Sequence, residues 1–113
     1  MSDINIESRF WIEKDGQTYL GSGRISLLEE IERTGSITKA AKGMGMSYKR
    51  AWELVEKMNS IADEPLVIKE TGGKNGGGTI LTGQGKKIIT EFRKLEEKSK
   101  EFIKSQLEDC CFN

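Results

Sequence analysis

No histidine occurs in these 113 residues, which removes the commonest side-chain general base and the commonest zinc ligand together. No paired-carboxylate, Ser-His-Asp or Cys-His arrangement stands in its place, so the composition argues against an enzyme and offers no catalytic residue. The only two cysteines, Cys110 and Cys111, are adjacent near the C-terminus, where they cannot staple a fold. That usage suits a reducing compartment. No run approaches the ~20 apolar residues of a membrane span. The N-terminal MSDINIESRF has neither the basic start nor the apolar stretch of a signal peptide, so the expected location is the cytoplasm. Proline occurs once, as Pro65, where it bars continuation of a helix.

What is present suits one compact domain with an ordinary core. The net charge is zero but unevenly spread. Residues 1–35 hold seven acids and four bases (−3), residues 36–87 five acids and nine bases (+4), and residues 88–113 six acids and five bases (−1). A basic middle segment fits contact with a polyanion, and equally an ordinary solvated face.

The segment ESRFWIEKDGQTYL places Phe10 and Ile12 on one face of a strand and turns at Asp15-Gly16, a strong hairpin signal. Gly21-Ser22-Gly23 breaks the pattern, and Ile25, Leu28 and Ile31 then recur at helical spacing from about Arg24 to Arg33. Gly35 suits a left-handed helix end and Ser36 an N-cap. Ile37, Ala40, Ala41 and Met44 form the apolar stripe of a short second helix. Gly43 and Gly45 mark a tight turn, and Ser47 caps a third helix to about Ala62. Its inner face is Ala51, Leu54, Val55, Met58 and Ala62. Leu66–Ile68 and Thr79–Leu81 read as paired strands. Thr82 caps a long last helix from about Gln84 to Leu107.

Between those strands lies KETGGKNGGGTILT, Lys69 to Thr82. A phosphate-cradling P-loop needs a lysine and a hydroxyl after its last glycine, then a helix. Here Gly78 and Thr79 follow Gly77, and a strand comes next, so a nucleotide site fails on spacing and context. A flexible linker fails too, because strands and a cap flank the loop. It is expected to be a hairpin tip whose glycines allow close backbone approach, with Lys74 and Asn75 as its side-chain contacts.

Two short helices joined by a glycine turn, after one helix and before a hairpin, compose a helix-turn-helix with a wing. The expected class is mostly α with small β hairpins (α+β). The parts are an N-terminal hairpin over 1–21, a three-helix core over 24–62, a wing over 66–81 and a C-terminal dimerisation helix over 84–108, within one domain of 1–113. Lysine, arginine, serine and tyrosine opening the third helix can meet base edges or phosphates in a DNA major groove. A helical hairpin with a basic outer face also serves proteins that bind only other proteins.

The motifs GSITKAAKGMGMSYKRAW (Gly35 to Trp52) and TGGKNGGG (Thr71 to Gly78) resemble the N-terminal DNA-binding domain of ModE-type molybdate-responsive transcription regulators. The likeness covers about Arg9 to Ile103, and the helix-turn-helix is also similar to that of the LysR class. The resemblance implies that Ser47, Tyr48, Lys49 and Arg50 open a recognition helix. It puts Ser36, Thr38 and Lys39 near the DNA phosphates, and Lys74 and Asn75 at the wing tip. It further implies a homodimer on a palindromic site. The last helix supports a dimer independently: Ile88, Phe92, Leu95, Ser99, Phe102 and Gln106 repeat in steps of four and three, a seam that needs a partner. The seam packing partly on its own hairpin is the competing reading. Larger members of the type continue into a domain that binds molybdate or tungstate. The sequence stops at Asn113, so double-stranded DNA and a second copy are the expected partners and no cofactor or metal is expected, while molybdate is doubtful: either regulation runs without that effector or sensing takes another route. Two alternatives stay open: a winged-helix module for protein contact, and a thiol or metal sensor using Cys110 and Cys111.

Overall fold

The computed structural model describes residues 4–70 and 78–112. Asp15 and Gly16 take φ of 53° and 76°, the two positive values that a two-residue hairpin turn of matching twist requires. Antiparallel strands β1 (Trp11–Lys14) and β2 (Gln17–Gly21) flank that turn, with a register shift between Ile12 and Glu13. Phe10 and Ile12 pack on the core, and Phe10 stacks on Phe92 with ring centroids 5.3 Å apart.

Helix α1 (Ser22–Thr34) buries Ile25, Leu27, Leu28 and Ile31. It starts two residues before the expected Arg24, because Gly21, in extended backbone, is the N-cap and Ser22-Gly23 form the first turn. First-turn N–H groups lack intrahelical acceptors in any sequence, so small residues there do not break the helix. Gly35 ends it with φ 68°, donating to the Ile31 carbonyl at 2.8 Å. The Ser36 hydroxyl then accepts from the Lys39 N–H at 3.2 Å and starts α2 (Ile37–Gly43). Buried Ala40 and Ala41 let α2 pack on both α1 and α3 (Tyr48–Ile61). Ser47 caps α3 by accepting from the Arg50 N–H at 3.1 Å, and Ala51, Val55 and Met58 are its buried face. Leu54 and Ala62 are half-buried against the same core.

Strands β3 (Val67–Lys69) and β4 (Thr79–Leu81) form the second hairpin, with Val67 and Leu81 turned inward and Ile68 and Ile80 outward. Leu66, expected in the strand, lies just outside it, because its polar backbone groups are used by neighbours. Its N–H donates to Asn59 Oδ1 at 2.8 Å, and its carbonyl accepts from the Thr82 N–H at 2.9 Å. Asn59 Nδ2 returns a bond to the Val67 carbonyl at 2.8 Å, fastening α3 to the hairpin base. The Thr79 N–H donates to the Gly35 carbonyl at 3.1 Å. The Thr79 hydroxyl accepts from the Ile37 N–H at 3.0 Å. A Cβ on Gly78 would lie 2.9 Å from the Gly35 oxygen, so this crossing needs glycine. The hairpin therefore stands against the turn between α1 and α2.

Helix α4 (Gly83–Glu108) opens with Thr82 accepting from the Gly85 N–H at 3.0 Å. Its first half packs on the domain through Gly85, Ile88, Ile89 and Phe92. Arg93 pins it to α1, donating to Glu29 at 2.6 Å and to Ser26 at 3.1 Å, with Glu96 a further partner at 2.6 Å. These carboxylates, Glu29 first, hold the guanidinium pKa above its ordinary value. The second half leaves the domain, which explains overall extents of 60 × 31 × 21 Å. Among the described residues, four helices and two small antiparallel hairpins make the mostly α, α+β class expected. Among the described residues, no helix is long and apolar enough to cross a membrane.

Candidate nucleic-acid interface

The turn between α2 and α3 is a tight, fully hydrogen-bonded unit. The Met44 N–H reaches the carbonyls of Ala40 and Ala41, both at 3.1 Å, and the Met46 N–H reaches that of Ala41 at 3.0 Å. Gly45 takes φ 69° between them. With Ala51 of α3 buried behind it, this turn fixes the angle at which α3 leaves the core. Tyr48, Lys49 and Arg50, the first three residues of α3, are all exposed. Their three side chains share one helix start, whose orphan N–H groups add positive potential. The Ser47 oxygen is occupied by its capping bond, leaving its O–H to donate outward. At the start of α2, Thr38 and Lys39 are exposed and Ser36 is half-buried in the equivalent capping role. Lys74 and Asn75, the expected wing-tip contacts, lie outside the described residues.

Among the described residues, every base that pairs with a carboxylate lies outside the 36–87 segment, while Arg9, Arg24, Lys94, Lys100 and Lys104, also outside it, have no such pair. Lys14, Arg33, Arg93 and Lys98 each pair with a carboxylate. No ion pair involves Lys39, Lys42, Lys49, Arg50, Lys57, Lys69, Lys86 or Lys87, the eight described bases among the nine of the 36–87 segment. The positive balance noted in the sequence is thus carried by bases without a carboxylate partner.

Two side chains on this face are absent from the sequence expectation. Lys69 Nζ sits 4.3 Å from the centroid of the Trp52 ring, a cation–π contact between β3 and α3 that places a charge at the loop end of the paired strands. Arg24, in the first turn of α1, donates from Nη1 to the carbonyls of Thr18 and Tyr19 at 2.8 and 3.0 Å. Neither pairing has a sequence signal, because each joins residues of different elements.

The apolar seam of α4 divides. Phe92, expected on the dimer face, is 2 % exposed and stacked within its own chain, and Ile88 also packs on the core. The seam's competing reading therefore holds for its first half. Beyond Phe92, Leu95 is 46 % and Phe102 64 % exposed, Ser99 is half-buried and Gln106 exposed. Cys110 and Cys111 are free and exposed, and among the described residues no group of three or more histidine, cysteine, aspartate or glutamate side chains is arranged to hold a metal.

The geometry matches a known pattern. Residues 23–86, from α1 through the first turn of α4, match the model of the bacterial regulatory helix-turn-helix proteins of the lysR family. The chain belongs to that family. Its members are regulators rather than enzymes, in line with the absence of a catalytic constellation in the sequence. Among curated relatives, the chain is 48 % identical over 96 residues to the molybdenum transport protein ModE of Azotobacter vinelandii, covering 85 % of this chain and 36 % of that protein. It is 41 % identical over 92 residues to the transcriptional regulator ModE of Haemophilus influenzae, covering 81 % and 36 %. With the DNA-binding transcriptional dual regulator ModE of Escherichia coli K12 it shares 48 % over 66 residues, covering 58 % and 25 %. The chain thus spans about a third or less of the length of these relatives, and the resemblance to ModE-type regulators stands for the helix-turn-helix region.

Proposed function

We propose that this chain is a sequence-specific DNA-binding transcription regulator that acts as a homodimer on a palindromic site. The observation that carries the reading is the exposed, capped start of α3, where Tyr48, Lys49 and Arg50 follow one another and neither base has a carboxylate partner among the described residues. Such exposed bases neutralise DNA phosphates and release the counterions condensed on them, which favours binding. In this reading α3 enters the major groove, where Lys49 and Arg50 meet guanine edges or phosphates and Tyr48 and Ser47 hydrogen-bond. Ser36, Thr38 and Lys39 lie along the backbone. The β3–β4 hairpin is the wing, with Lys69 at the loop end of β3 and Lys74 and Asn75 at its tip.

The dimer is supported by the outer half of α4, where Leu95, Ser99, Phe102 and Gln106 continue the four-three spacing with two large apolar side chains exposed. Water contact at those positions is what a partner helix removes. Two α3 helices related by a two-fold axis would then face successive major grooves.

The test is selection of bound fragments from random duplex DNA, with and without molybdate, followed by affinity against salt. A palindromic motif and a log–log slope of roughly −0.9 per phosphate contacted are expected. Lys49→Ala with Arg50→Ala should flatten that slope by about 0.9 per charge removed. Salt-independent binding, or no enriched motif, would sink the DNA reading in favour of a protein-contact module. A motif that appears only with molybdate would show that this chain itself responds to the oxyanion.

A further inference from the structure

Strand β3 runs beside α3, and two residues of the helix hold it at separate points. Asn59 takes the strand's entry, through Leu66 and Val67, and Trp52 meets Lys69 at its far end. Asn59 and Trp52 are seven positions apart, so they share one side of α3. Passing along β3 toward its loop therefore leads toward the start of α3. Trp52 follows Tyr48 by four positions and Lys49 by three, spacings that make both its neighbours on the helix surface. On the strand, Lys69 shares a face with buried Val67 and is the cross-strand partner of buried Thr79. The Thr79 hydroxyl accepts from the Ile37 N–H at the start of α2. Lys69 thus stands where α2, α3 and the second hairpin meet.

An apolar side chain would suit that position, since Trp52 is half-buried against the core and Val67 precedes Lys69 on the same face of the strand. The position carries an ammonium instead, 4.3 Å from the ring centroid, and among the described residues no carboxylate pairs with it. The ring covers one side of the ammonium and leaves its other N–H donors to solvent, Lys69 being exposed. A ring face attracts a cation without neutralising it, so the full charge remains for an anion. Holding the long side chain in place also lowers the entropy lost when a ligand orders it. We propose that Lys69 binds one DNA backbone phosphate between the recognition helix and the wing, and that Trp52 is the positioning residue that holds its ammonium there. This rests on the DNA-binding reading of α3. The plain alternative is that the pair only fastens the hairpin to the helix.

Lys69→Gln removes the charge at an exposed position. With the fold verified by circular dichroism and thermal melting, its log–log salt slope should fall by roughly 0.9. Lys69→Arg keeps the charge and stacks on aromatic faces, so it should restore the wild-type slope. Trp52→Leu keeps apolar cover and removes the ring. It should weaken binding about two- to five-fold with the slope unchanged, and add no further loss when combined with Lys69→Gln. Should Trp52→Leu not fold, Trp52→Phe replaces it, its weaker ring giving a smaller loss that Lys69→Gln again abolishes. Losses that simply add would refute the positioning role. Among duplexes carrying single neutral methylphosphonates, one position should weaken wild type and leave Lys69→Gln unaffected, and the absence of any such position refutes the contact. A folded Lys69→Gln with the wild-type slope, while Lys49→Ala with Arg50→Ala flattens it, overturns this proposal alone and leaves the pair a fastener. If wild type binds no duplex in a salt-dependent way, the DNA reading itself has failed, and this contact with it.

Discussion

Gly85→Ala is the substitution whose outcome the packing fixes most sharply. Gly85 lies in the first turn of α4, fully inside the junction with the second hairpin. A Cβ there would sit 2.7 Å from Leu81 Cδ1, 2.9 Å from Leu81 Cγ, and closer still to the Leu66 carbonyl oxygen. That oxygen is already held by the Thr82 N–H at 2.9 Å and the Thr82 hydroxyl at 3.1 Å, so it cannot retreat without breaking the helix cap. Alanine gains about 1 kcal/mol over glycine in helix propensity. Overpacking against a fixed neighbour costs typically 1–3 kcal/mol, and here the neighbour is backbone, so the clash wins. With the clash at the upper end of that range, the net loss is about 2 kcal/mol and should lower Tm by roughly 8–12 °C in a domain of this size. Gly83→Ala is the internal control: it lies two residues earlier in the same turn, with nothing within 4 Å of its Cβ. It should be neutral or stabilise by roughly 0.5 kcal/mol. Thermal and urea melts of both variants, followed by circular dichroism, give the comparison. Equal shifts for the two alanines, or a Gly85→Ala protein as stable as wild type, would refute the junction as described.

Ser47→Ala removes the oxygen that accepts from the Arg50 N–H, and should cost about 1 kcal/mol in a denaturant melt while weakening DNA binding through a frayed α3 start. Thr79→Val keeps the buried shape but strands the Ile37 N–H, so urea titration should show a loss of about 1–3 kcal/mol. Phe102→Glu on the outer half of α4 should turn a dimer into a particle near the 12.7 kDa chain mass by sedimentation, with monomer stability unchanged, since that side chain is 64 % exposed within the chain. A wild-type particle that is already monomeric at micromolar concentration would count against the dimer.

The parts of this molecule that depend on residues close in sequence were legible from the letters alone. Ser36, Ser47 and Thr82 cap the helices that follow them, because such bonds span three residues and need no distant partner. Asp15-Gly16 and Gly35 set their turns by backbone sterics, and the apolar stripes of the helices face the core as their periodicity requires. Other features belong to the tertiary structure, because they join residues whose separation carries no signal. The Ile37–Thr79 bond spans 42 positions, and the Gly85 approach to Leu66, the Trp52–Lys69 contact and the anchoring of Arg24 to the β2 carbonyls each join separate elements. The α4 seam illustrates the division most plainly. Its spacing was visible as a repeat from Ile88 to Gln106. Only packing decided that Phe92 belongs to Phe10 while Phe102 stays open, because periodicity states which residues share a face and says nothing of what covers it.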